Sequence, residues 1–571
     1  MTSNRLDRRL AALLRRHVCA VAVVALAFGP TVVLNAWGAN PRQPVRAAKA
    51  GAKPKPKADA KIKPQIPGAN RYQPGKVFLE NADSLTASEP TSTEYQVLHG
   101  NVRFRRGDMY MFCDSAYFYE KTSSLDAFGH VRMTQGDTLT VNAEILHYYG
   151  DQQYAELRRN VRLENRSTTL FTDSLDYNLT TDEGYYLYGG TIVDNRNNIE
   201  LRSREGRYDM RTKDANFYTD VILINDKDNY QMRTNHLRYN MHTHQATITS
   251  ETTIVSDSGT IVTSNGRYNT SINDATLYDR SLVRAKKGET LTGDTVYYNR
   301  NRNYGWARGD VEITDPNNKV ILNGDYGEHH GETRYSYVTG HARAREYSQD
   351  DTLYVHADTL LTLIEYDSIR VMKALNYSRF YRSDLQGVCD SLIVSQADSI
   401  LNLYHHAVLW NENRQISGEE INIHLNDSTA DWATLPQRGL VVEHLGENYY
   451  DQLTGKSMKA FFADKELRRL EVDGNVTVIM YPQEDDSTYN KMVNAEASYL
   501  RLWLKPKQEI DKITMWPDVS GSVTPLYLAK RQQMFLPQFV WLDALRPRSP
   551  EELEPISEPL REYMNSTVST K

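Results

Sequence analysis

Histidine pairs are the residues of this chain whose type and spacing come closest to a metal site. There are three such pairs, His329-His330, His405-His406, and His242 with His244. The last pair would share one face of a strand, because successive side chains of a strand alternate. A structural metal site needs further ligands, and none stands at a fixed spacing from these pairs. The sequence therefore predicts histidines in solvated loops and no bound metal.

Catalytic and cofactor-binding motifs do not stand out. Gly455-Lys456-Ser457 ends like a phosphate-binding loop, but Tyr450 stands where the first glycine of that motif belongs. The chain has no Gly-x-Ser-x-Gly elbow and no His-Glu-x-x-His pair. A polysaccharide-cleaving enzyme would need paired carboxylates on one face, and turn carboxylates are too common here to nominate a pair. We predict a protein that is not an enzyme and has no cofactor.

The three cysteines, Cys19, Cys113 and Cys389, are too few for a disulfide scaffold. Cys113 occupies a repeat position that Ala143 and Ala357 fill elsewhere, so a small buried residue is the expected role. Rungs of a β stack are about 4.8 Å apart, and a disulfide needs α-carbons within roughly 7 Å. Cys113 and Cys389 are therefore predicted to be free, inert thiols.

The paired histidines, Cys113 and Cys389 lie within a sequence repeat that has two recurring elements. Its first element is Gly100-Asn101-Val102-Arg103-Phe104, and its second is Cys113-Asp114-Ser115-Ala116-Tyr117-Phe118. The aromatic residue that closes the second element recurs every 29 to 31 residues, as Phe118, Tyr148, Tyr177, Tyr208, Tyr239, Tyr268 and Tyr298. A fixed period of this size is typical of stacked repeat architectures.

The repeat has strand-like alternation, as in Val102 with Phe104 and Leu175 with Tyr177. Thirty extended residues would reach roughly 100 Å, so each unit must fold back and stack on its neighbours. We predict an all-β protein, an elongated repeat β-jelly-roll or β-solenoid-like stack of ~30-residue units in one or two segments. Parallel and antiparallel pairing both remain open.

Composition divides the chain into five parts. They are an export signal or N-terminal anchor (1–40), a Lys/Pro-rich linker (41–75), a regular repeat domain (95–345), a looser β-repeat continuation (346–530) and a Pro-rich C-terminal cap or tail (531–571). Arginines before the apolar run 18–34 are typical of an export signal, and cleavage and retention in the inner membrane both remain open. We expect a break in the stack near residues 345–375 and an end cap, or a partner-binding tail, after residue 530.

Charge is distributed unevenly along the chain. Residues 1–70 hold 13 of the 67 Lys and Arg and two of the 73 Asp and Glu, which leaves 54 basic and 71 acidic residues. The remainder has a net charge of -17 on that count. A body this acidic is poorly suited to a phosphate backbone, so nucleic acid is excluded as a partner.

One face of the repeats carries an apolar column. Its members are Val102, Phe104, Val131, Met133, Val161, Leu163, Val221, Leu223, Val311 and Ile313. The column fits an ordinary closed solenoid core, and it also fits an open apolar trough that holds acyl chains. Composition does not separate the two interpretations.

The ordered series of repeats resembles the OstA-like, LptA-type proteins of lipopolysaccharide transport. The match is clearest at Gly129-His130-Val131-Arg132-Met133 with the following strand 141–148, close over residues 95–345 and looser over 385–525. The resemblance implies an antiparallel β-jelly-roll, open along one side, that carries the acyl chains of lipid A across the periplasm. It also implies edge strands that pair with like domains of other envelope lipid-transport proteins.

The function predicted from the resemblance is a periplasmic bridge or carrier for lipopolysaccharide between the inner and outer membranes. The apolar column would be its lipid-binding surface, and lipopolysaccharide or lipid A its ligand. The alternative is a structural or adhesive envelope β-solenoid with a closed core and no lipid ligand. The chain departs from the family in its length, its Lys/Pro-rich linker and its proline-rich tail.

Overall fold

The computed structural model describes residues 76–87 and 95–566, except 258, 287, 303, 318, 331, 334, 348–350, 366–368, 396–398, 427–428, 464–465, 484–487 and 507–509. The predicted signal or anchor, the linker and Cys19 lie outside the described residues. In the described part, no helix is long and apolar enough to cross a bilayer. The chain divides into two compact units between His244 and Gln245, here called the first unit (described from residue 76) and the second unit (described to residue 566).

The first unit consists of strands β1 to β14. They are β1 (Phe78–Asn81), β2 (Ser84–Ala87), β3 (Gln96–Arg106), β4 (Met109–Tyr119), β5 (Ser124–Gln135), β6 (Leu139–Tyr149), β7 (Tyr154–Asn165), β8 (Thr168–Asn178), β9 (Glu183–Tyr186), β10 (Gly190–Asp194), β11 (Ile199–Ser203), β12 (Glu205–Asp209), β13 (Asp214–Asn225) and β14 (Tyr230–Asn240).

The second unit begins with β15 (Gln245–Ile248), β16 (Thr252–Ser256), β17 (Gly259–Thr263), β18 (Asn265–Asn269), β19 (Asp274–Ala285), β20 (Thr290–Asn299), β21 (Tyr304–Asp315), β22 (Val320–His330), β23 (Tyr335–Glu346), β24 (Leu353–Glu365), β25 (Ile369–Leu375) and β26 (Ser378–Arg382). It continues with β27 (Leu385–Cys389), β28 (Ser391–Ser395), β29 (Ile400–Asn411), β30 (Arg414–Asn426), β31 (Thr429–Leu435), β32 (Gly439–Gly446), β33 (Tyr449–Gly455), β34 (Ser457–Ala463), β35 (Glu466–Met480), β36 (Lys491–Leu504), β37 (Ile510–Trp516) and β38 (Ser520–Pro525). Short 3-10 turns follow, and helix α1 spans Glu558–Asn565.

Strand pairing within each unit is antiparallel. Most long strands pair with the next strand along the chain, whereas short strands such as β9 and β10 pair with β12 and β8. In the first unit β3 pairs with β4, β4 with β5 and β5 with β6. In the second unit β20 pairs with β21, and β21 with β22. The all-β repeat fold predicted from the sequence is confirmed, and the open choice between parallel and antiparallel pairing is settled as antiparallel.

The long strands bend where two successive residues adopt left-handed backbone angles. In the first unit these pairs are Gly100-Asn101, Gly129-His130, Arg159-Asn160 and Thr219-Asp220, and in the second unit they include Gly309-Asp310, Gly340-His341, His405-His406 and Gly474-Asn475. The pairing register shifts at each of these points, for example between His99 and Val102. The recurring Gly-x-Val element therefore marks a corner inside a strand, where glycine avoids the steric cost of a positive φ.

At the corners of β3 and β5, an aspartate from the adjacent part of the ladder pairs with the bent residue. Oδ2 of Asp114 lies 2.7 Å from Nδ1 of His130, and Oδ2 of Asp83 accepts a 2.8 Å hydrogen bond from Nδ2 of Asn101. Asp114 belongs to the second sequence element, directly after Cys113. The two recurring elements are thus the two sides of one corner.

The corners fold the two halves of each strand towards one another. The rings of Phe104 and Phe118 lie 5.3 Å apart, although they are not ladder partners. Phe104 follows the corner of β3, whereas Phe118 lies in the other half of the ladder, on β4. The buried alternate residues of both halves therefore share one interior.

The break expected near residues 345–375 does not occur in the strand pairing. β23 and β24 pair antiparallel from Ser336 opposite Thr362 to Glu346 opposite Leu353. β24 then pairs with β25 and β26. The change near residue 345 is one of loop length, because the ladder itself continues.

The C-terminal tail begins against the last strands, where Leu536 packs with Ile479 and Met492, and then follows the second unit back along the chain. Leu545 and Leu560 of the tail pack on Val388, Val408 and Trp410, an apolar group on the outer side of the repeats. Val519 and Val523, at the last strand, remain 54% and 66% exposed. The sequence predicts an end cap or a partner-binding tail, and the contacts of the tail form a strap that runs from the last strands to this apolar group.

Buried glutamines hold this strap by its backbone. Gln452 accepts from the amide of Leu536 and donates to the carbonyl of Met534, both at 2.8 Å. Gln415 repeats the pattern, accepting from Leu542 N at 2.7 Å and donating to Val540 O at 2.8 Å. Each side-chain amide satisfies one donor and one acceptor of the tail, as a strand edge would.

Candidate functional site

The predicted apolar column lies in the interior, as its alternation requires. Nine of its ten members are at most 3% exposed, and these include Val102, Phe104 and Val311. Only Leu163 is half-buried. Each valine faces a small residue across the ladder, as Val131 faces Ala143 and Val161 faces Thr172. Side chains therefore pack closely at most rungs of the column.

An interior cavity of about 570 Å³ opens beside Leu163 in the first unit. Its apolar lining consists of Leu139, Leu163, Leu170, Leu175, Tyr177, Tyr186, Ile192, Tyr208, Met210, Phe217 and Met241. These residues come from both halves of the strands, so the cavity lies between the two half-sheets. Of the predicted column, the structure brings only Leu163 to this cavity.

Two glycines explain why the interior is open at this level. Gly184 faces Tyr177 and Tyr208 across the ladder. Alanine faces the same tyrosines from β7 and β13, so Gly184 stands where the repeat elsewhere has alanine. Gly206 takes a position that leucine fills in β8 and β14. The ring of Tyr186 occupies part of the space, since a Cβ on Gly206 would lie 2.5 Å from that ring. The missing side chains leave the rest of the space empty.

Polar residues at the strand turns form a rim around the cavity. Arg166, Arg196 and Lys213 line it together with His242, against the single carboxylate of Asp108. The rim therefore has an excess of positive charge above an apolar floor. This arrangement suits a ligand with apolar chains and an anionic group.

The tyrosines of the lining remain neutral. Burial raises the pKa of Tyr186 to about 12, and the hydroxyl of this residue lies 2.7 Å from Oγ of Ser203. Burial also raises the pKa of Tyr177, with further contributions from the charge and hydrogen bond of Asp182. Neither phenol is poised to act as a base or nucleophile, because both keep their protons at neutral pH and up to pH values well above it.

The histidine pairs do not gather into a metal site. No group of three or more His, Cys, Asp or Glu that could hold a metal stands together in the described ranges. His329 corrects the prediction of solvated loop histidines, since it is buried in β22 and its Nδ1 lies 2.8 Å from Oγ of Ser336. Burial lowers the pKa of His329 to about 4, so its imidazole is neutral.

Cys113 and Cys389 are free and buried, which confirms the prediction from spacing. Burial, followed by the charge of Asp114, raises the pKa of Cys113 to about 12. Burial likewise raises the pKa of Cys389. Both thiols are therefore protonated and unreactive at neutral pH.

The last strands of the second unit present exposed edges. β37 and β38 are each paired on one side with β36, and no other described strand pairs with them. Their exposed apolar residues include Ile510, Ile513 and Trp516. An unprotected edge of this kind is a template for pairing with another strand.

Some features of the site could not be found by motif alone. The cavity depends on Gly184 and Gly206 lying in adjacent rungs, and that requires the register. The rim arises from turn residues with no shared sequence pattern. A signal for the cavity was nonetheless present, because glycine replaces alanine and leucine within an otherwise regular column.

Two family models match the chain. Residues 74–234 match the model described as OstA-like protein, and residues 190–281 match the model described as lipopolysaccharide-assembly, LptC-related. The LPS-assembly protein LptD of Nitrosomonas eutropha is 36% identical over 101 residues, which are 17% of this chain and 13% of that protein.

Among solved structures, the chain is similar to LptH of Pseudomonas aeruginosa, the LptA-homologous periplasmic component of a lipopolysaccharide transport device. The identity is 13%, the match covers 25% of this chain and 80% of that chain, and the TM-score is 0.15. The resemblance inferred from the repeats is confirmed by the sequence matches over residues 74–281. This part, less than half of the chain, is similar to OstA-like proteins and to LptC-related lipopolysaccharide-assembly proteins.

Proposed function

We propose that the chain is a periplasmic carrier or bridge for lipopolysaccharide and that it holds the acyl chains inside the first unit. The observation that carries the proposal is the cavity beside Leu163, with its apolar floor and its rim of Arg166, Arg196 and Lys213. The matched lipopolysaccharide-assembly family model and the name of the curated relative support lipopolysaccharide as the class of ligand. The role is one of binding, without a catalytic step.

The apolar floor of the cavity suits the acyl chains of such a ligand, and its cationic rim suits the anionic groups. Each methylene that enters the floor leaves water with a gain of about 0.8 kcal/mol. The rim cations would meet anionic groups of the same molecule where the chains emerge. The interior elsewhere in the column is closely packed, so loading beyond the cavity requires the half-sheets to separate.

Photo-crosslinking tests the proposal directly. A photoreactive residue at Leu163 or Leu170, inside the cavity, should capture lipopolysaccharide in cells. The same residue at Arg238, which is exposed on the outer side of β14, is the control. Capture from Arg238 alone, or from none of the three positions, would refute the interior site.

A bridge also needs partners at its ends. We infer that the exposed edges of β37 and β38 pair with a strand of a like β-jelly-roll domain, because edge strands with apolar side chains favour β-augmentation. The partners proposed are other envelope lipid-transport proteins. Crosslinks between Val523 and such a domain in intact cells would support this, and their absence in cells that still export lipopolysaccharide through this chain would refute it.

The close packing of the other nine column residues favours a second candidate. In that case the chain is a structural or adhesive envelope β-solenoid whose core stays closed. Depletion of the chain separates the two functions. A carrier should leave less lipopolysaccharide at the cell surface, whereas a structural protein should leave the surface amount unchanged.

A further inference from the structure

One outer face of the first unit carries a straight column of arginines. Its members, here called the arginine strip, are Arg103, Arg132, Arg162, Arg202 and Arg233, connected through successive ladder partners from β3 to β14. All except Arg103 are exposed. Because neighbouring strands are about 4.8 Å apart, these arginines repeat at roughly 10 to 14 Å along the sheet.

Exposed phenylalanines lie between the arginines. Phe112 is the ladder partner of Arg103 and Arg132, and Phe171 is the partner of Arg162. They are 36% and 44% exposed on a face where polar residues are expected. The guanidinium of Arg162 lies 5.7 Å from the centroid of Phe171, so cation and ring are presented side by side.

Carboxylates neutralise the strip only in part. Glu80 pairs with Arg103 at 2.9 Å, and Glu164 and Glu200 pair with Arg162 and Arg202. Arg132 and Arg233 form no ion pair with a carboxylate in the part of the chain that the structure describes. The strip therefore keeps a positive excess within a chain whose body is acidic.

The outer face of the other half-sheet has the opposite charge. Asp126, Glu156 and Asp176 follow one another in its central column, with His147 between the first two. Arg158 pairs with both Glu156 and Asp176, so one cation offsets part of this negative charge. The cations at the far end of that column, Arg207 and Arg238, are each paired with a carboxylate at 2.7 Å. The first unit is thus polarised across its thickness, and such a distribution orients a protein towards a negative surface.

We propose that the arginine strip docks the first unit on the surface of an anionic bilayer, with guanidinium groups on lipid phosphates and Phe112 and Phe171 in the headgroup region. Cationic and aromatic side chains on one face are the combination that membrane interfaces select. The opposite, acidic face then points away from the bilayer. The proposal goes beyond the interior lipid site and stands independently of it, because it concerns only outward-facing residues.

Vesicle binding by the full chain tests the proposal. The probes are vesicles of phosphatidylcholine alone and of phosphatidylcholine with phosphatidylglycerol. The variant is Arg132→Gln with Arg233→Gln, and the matched control is Arg207→Gln with Arg238→Gln, which removes the same charge from the opposite face. A basic residue near an anionic surface contributes a factor of roughly five in binding. The strip variant should therefore bind anionic vesicles about tenfold or more weakly, and the control should bind like the parent chain.

An orientation measurement separates the strip from the basic N-terminal segment, which can also attract anionic lipid. A polarity-sensitive dye is attached at Phe171→Cys or, as the control, at Tyr185→Cys on the opposite face, both with Cys19→Ser. Emission should shift to the blue on anionic vesicles only for the first position. Equal binding by the two double variants, or a shift from Tyr185→Cys alone, would overturn the proposal. Binding of the strip to polyglutamate but not to vesicles would make the occupant an acidic polypeptide and would also overturn it.

Discussion

Asp114 and His130 face each other across a corner of the β ladder, with Oδ2 of one 2.7 Å from Nδ1 of the other. They come from the two recurring sequence elements, and their contact joins β4 to the corner of the neighbouring strand β5. His130 has a positive φ, as does Gly129 before it. The corner thus combines a backbone bend with a carboxylate that pairs with the bent residue.

The first prediction concerns the protonation of His130. The hydrogen bond that His130 donates to the carboxylate of Asp114, together with the charge of that carboxylate, raises the pKa of His130 above its usual value near 6.5. A raised pKa in the folded state stabilises the corner when the pH is below the pKa that His130 has in the unfolded chain. This contribution is lost as the pH rises through the pKa that His130 has in the folded state. Titration by NMR should show the raised pKa, and Asp114→Asn should lower it. The control Asp137→Asn, in an exposed turn, should not change it.

The second prediction concerns Gly129 itself. Gly129→Ala places a Cβ at a φ of +74° and into overlap with the carboxylate of Asp114. A left-handed alanine costs roughly 1–2 kcal/mol, and the overlap adds to that cost. The control is Gly107→Ala, at a φ of +59° with no atom within 4 Å of its Cβ. Denaturant unfolding should show a larger loss for Gly129→Ala, and equal losses would contradict the role of Asp114 in closing the corner.

The sequence could predict the repeats and the strands because their apolar residues alternate and recur at a fixed period. It could not show that Gly-x-Val is a corner, since Thr219-Asp220 and His405-His406 bend in the same way without glycine. Such positions are held by the surrounding ladder, which is a tertiary constraint. The arginine strip was visible as the residue after the valine of the motif, in Arg103, Arg132 and Arg162. Its alignment with Arg202 and Arg233 required the register.

The path of the tail was beyond sequence reasoning for another reason. Its short 3-10 turns have no periodic pattern, and its position depends on glutamines more than 80 residues away in the chain, as in the bond from Gln415 to Val540. A buried glutamine between apolar residues has no sequence signature that names its partner. Only the fold brings the side-chain amide and the tail backbone together.

The third prediction tests this strap. Gln415→Ala leaves Leu542 N and Val540 O without their partner, at a cost of about 1–3 kcal/mol for a buried group. Hydrogen exchange at the amide of Leu542 should accelerate roughly 5- to 150-fold. Gln437→Ala, at an exposed position, is the control, and the amide of Leu536 should stay protected because Gln452 holds it. Unchanged exchange at Leu542 would mean that the strap does not depend on the glutamine.

The fourth prediction concerns Asp451, whose Oδ1 accepts a 2.8 Å hydrogen bond from Tyr481 N. Burial is the main cause that raises the pKa of Asp451 to about 7. The folded state then holds this proton at pH values where the unfolded chain, with a pKa near 3.9, has released it. The group therefore favours folding at low pH, and this contribution is lost as the pH rises towards 7.

Asp451→Asn removes that dependence, because the amide stays neutral and its oxygen can still accept from Tyr481 N. Relative to the parent chain, the variant should gain free energy of unfolding as the pH rises from about 5 to about 8. Denaturant unfolding at several pH values measures the difference. The exposed Asp226→Asn serves as the control and should follow the parent. Parallel curves for Asp451→Asn and the parent would show that the carboxyl is already ionised in the folded state.

The last prediction separates the cavity from ordinary core packing. A Cβ on Gly184 would be 3.4 Å from Tyr177 Cδ2 and 3.6 Å from Leu175 Cδ1, ordinary contact distances at the edge of the cavity. A Cβ on Gly327 would be 3.5 Å from Val311 and 3.6 Å from Val338, in the interior of the second unit. The two glycines therefore have similar surroundings, but only Gly184 lines the cavity.

Valine at each position should give opposite results. Gly184→Val fills space that a ligand would use, so it should leave the free energy of unfolding nearly unchanged. It should reduce lipopolysaccharide capture from a photoreactive residue at Leu170 by about 15-fold, the equivalent of two displaced methylenes at about 0.8 kcal/mol each. Gly327→Val overfills a packed interior, so it should lose about 1–3 kcal/mol of stability while capture at Leu170 persists. If both variants capture lipopolysaccharide equally well, the cavity is not the acyl site and the closed-core interpretation is favoured.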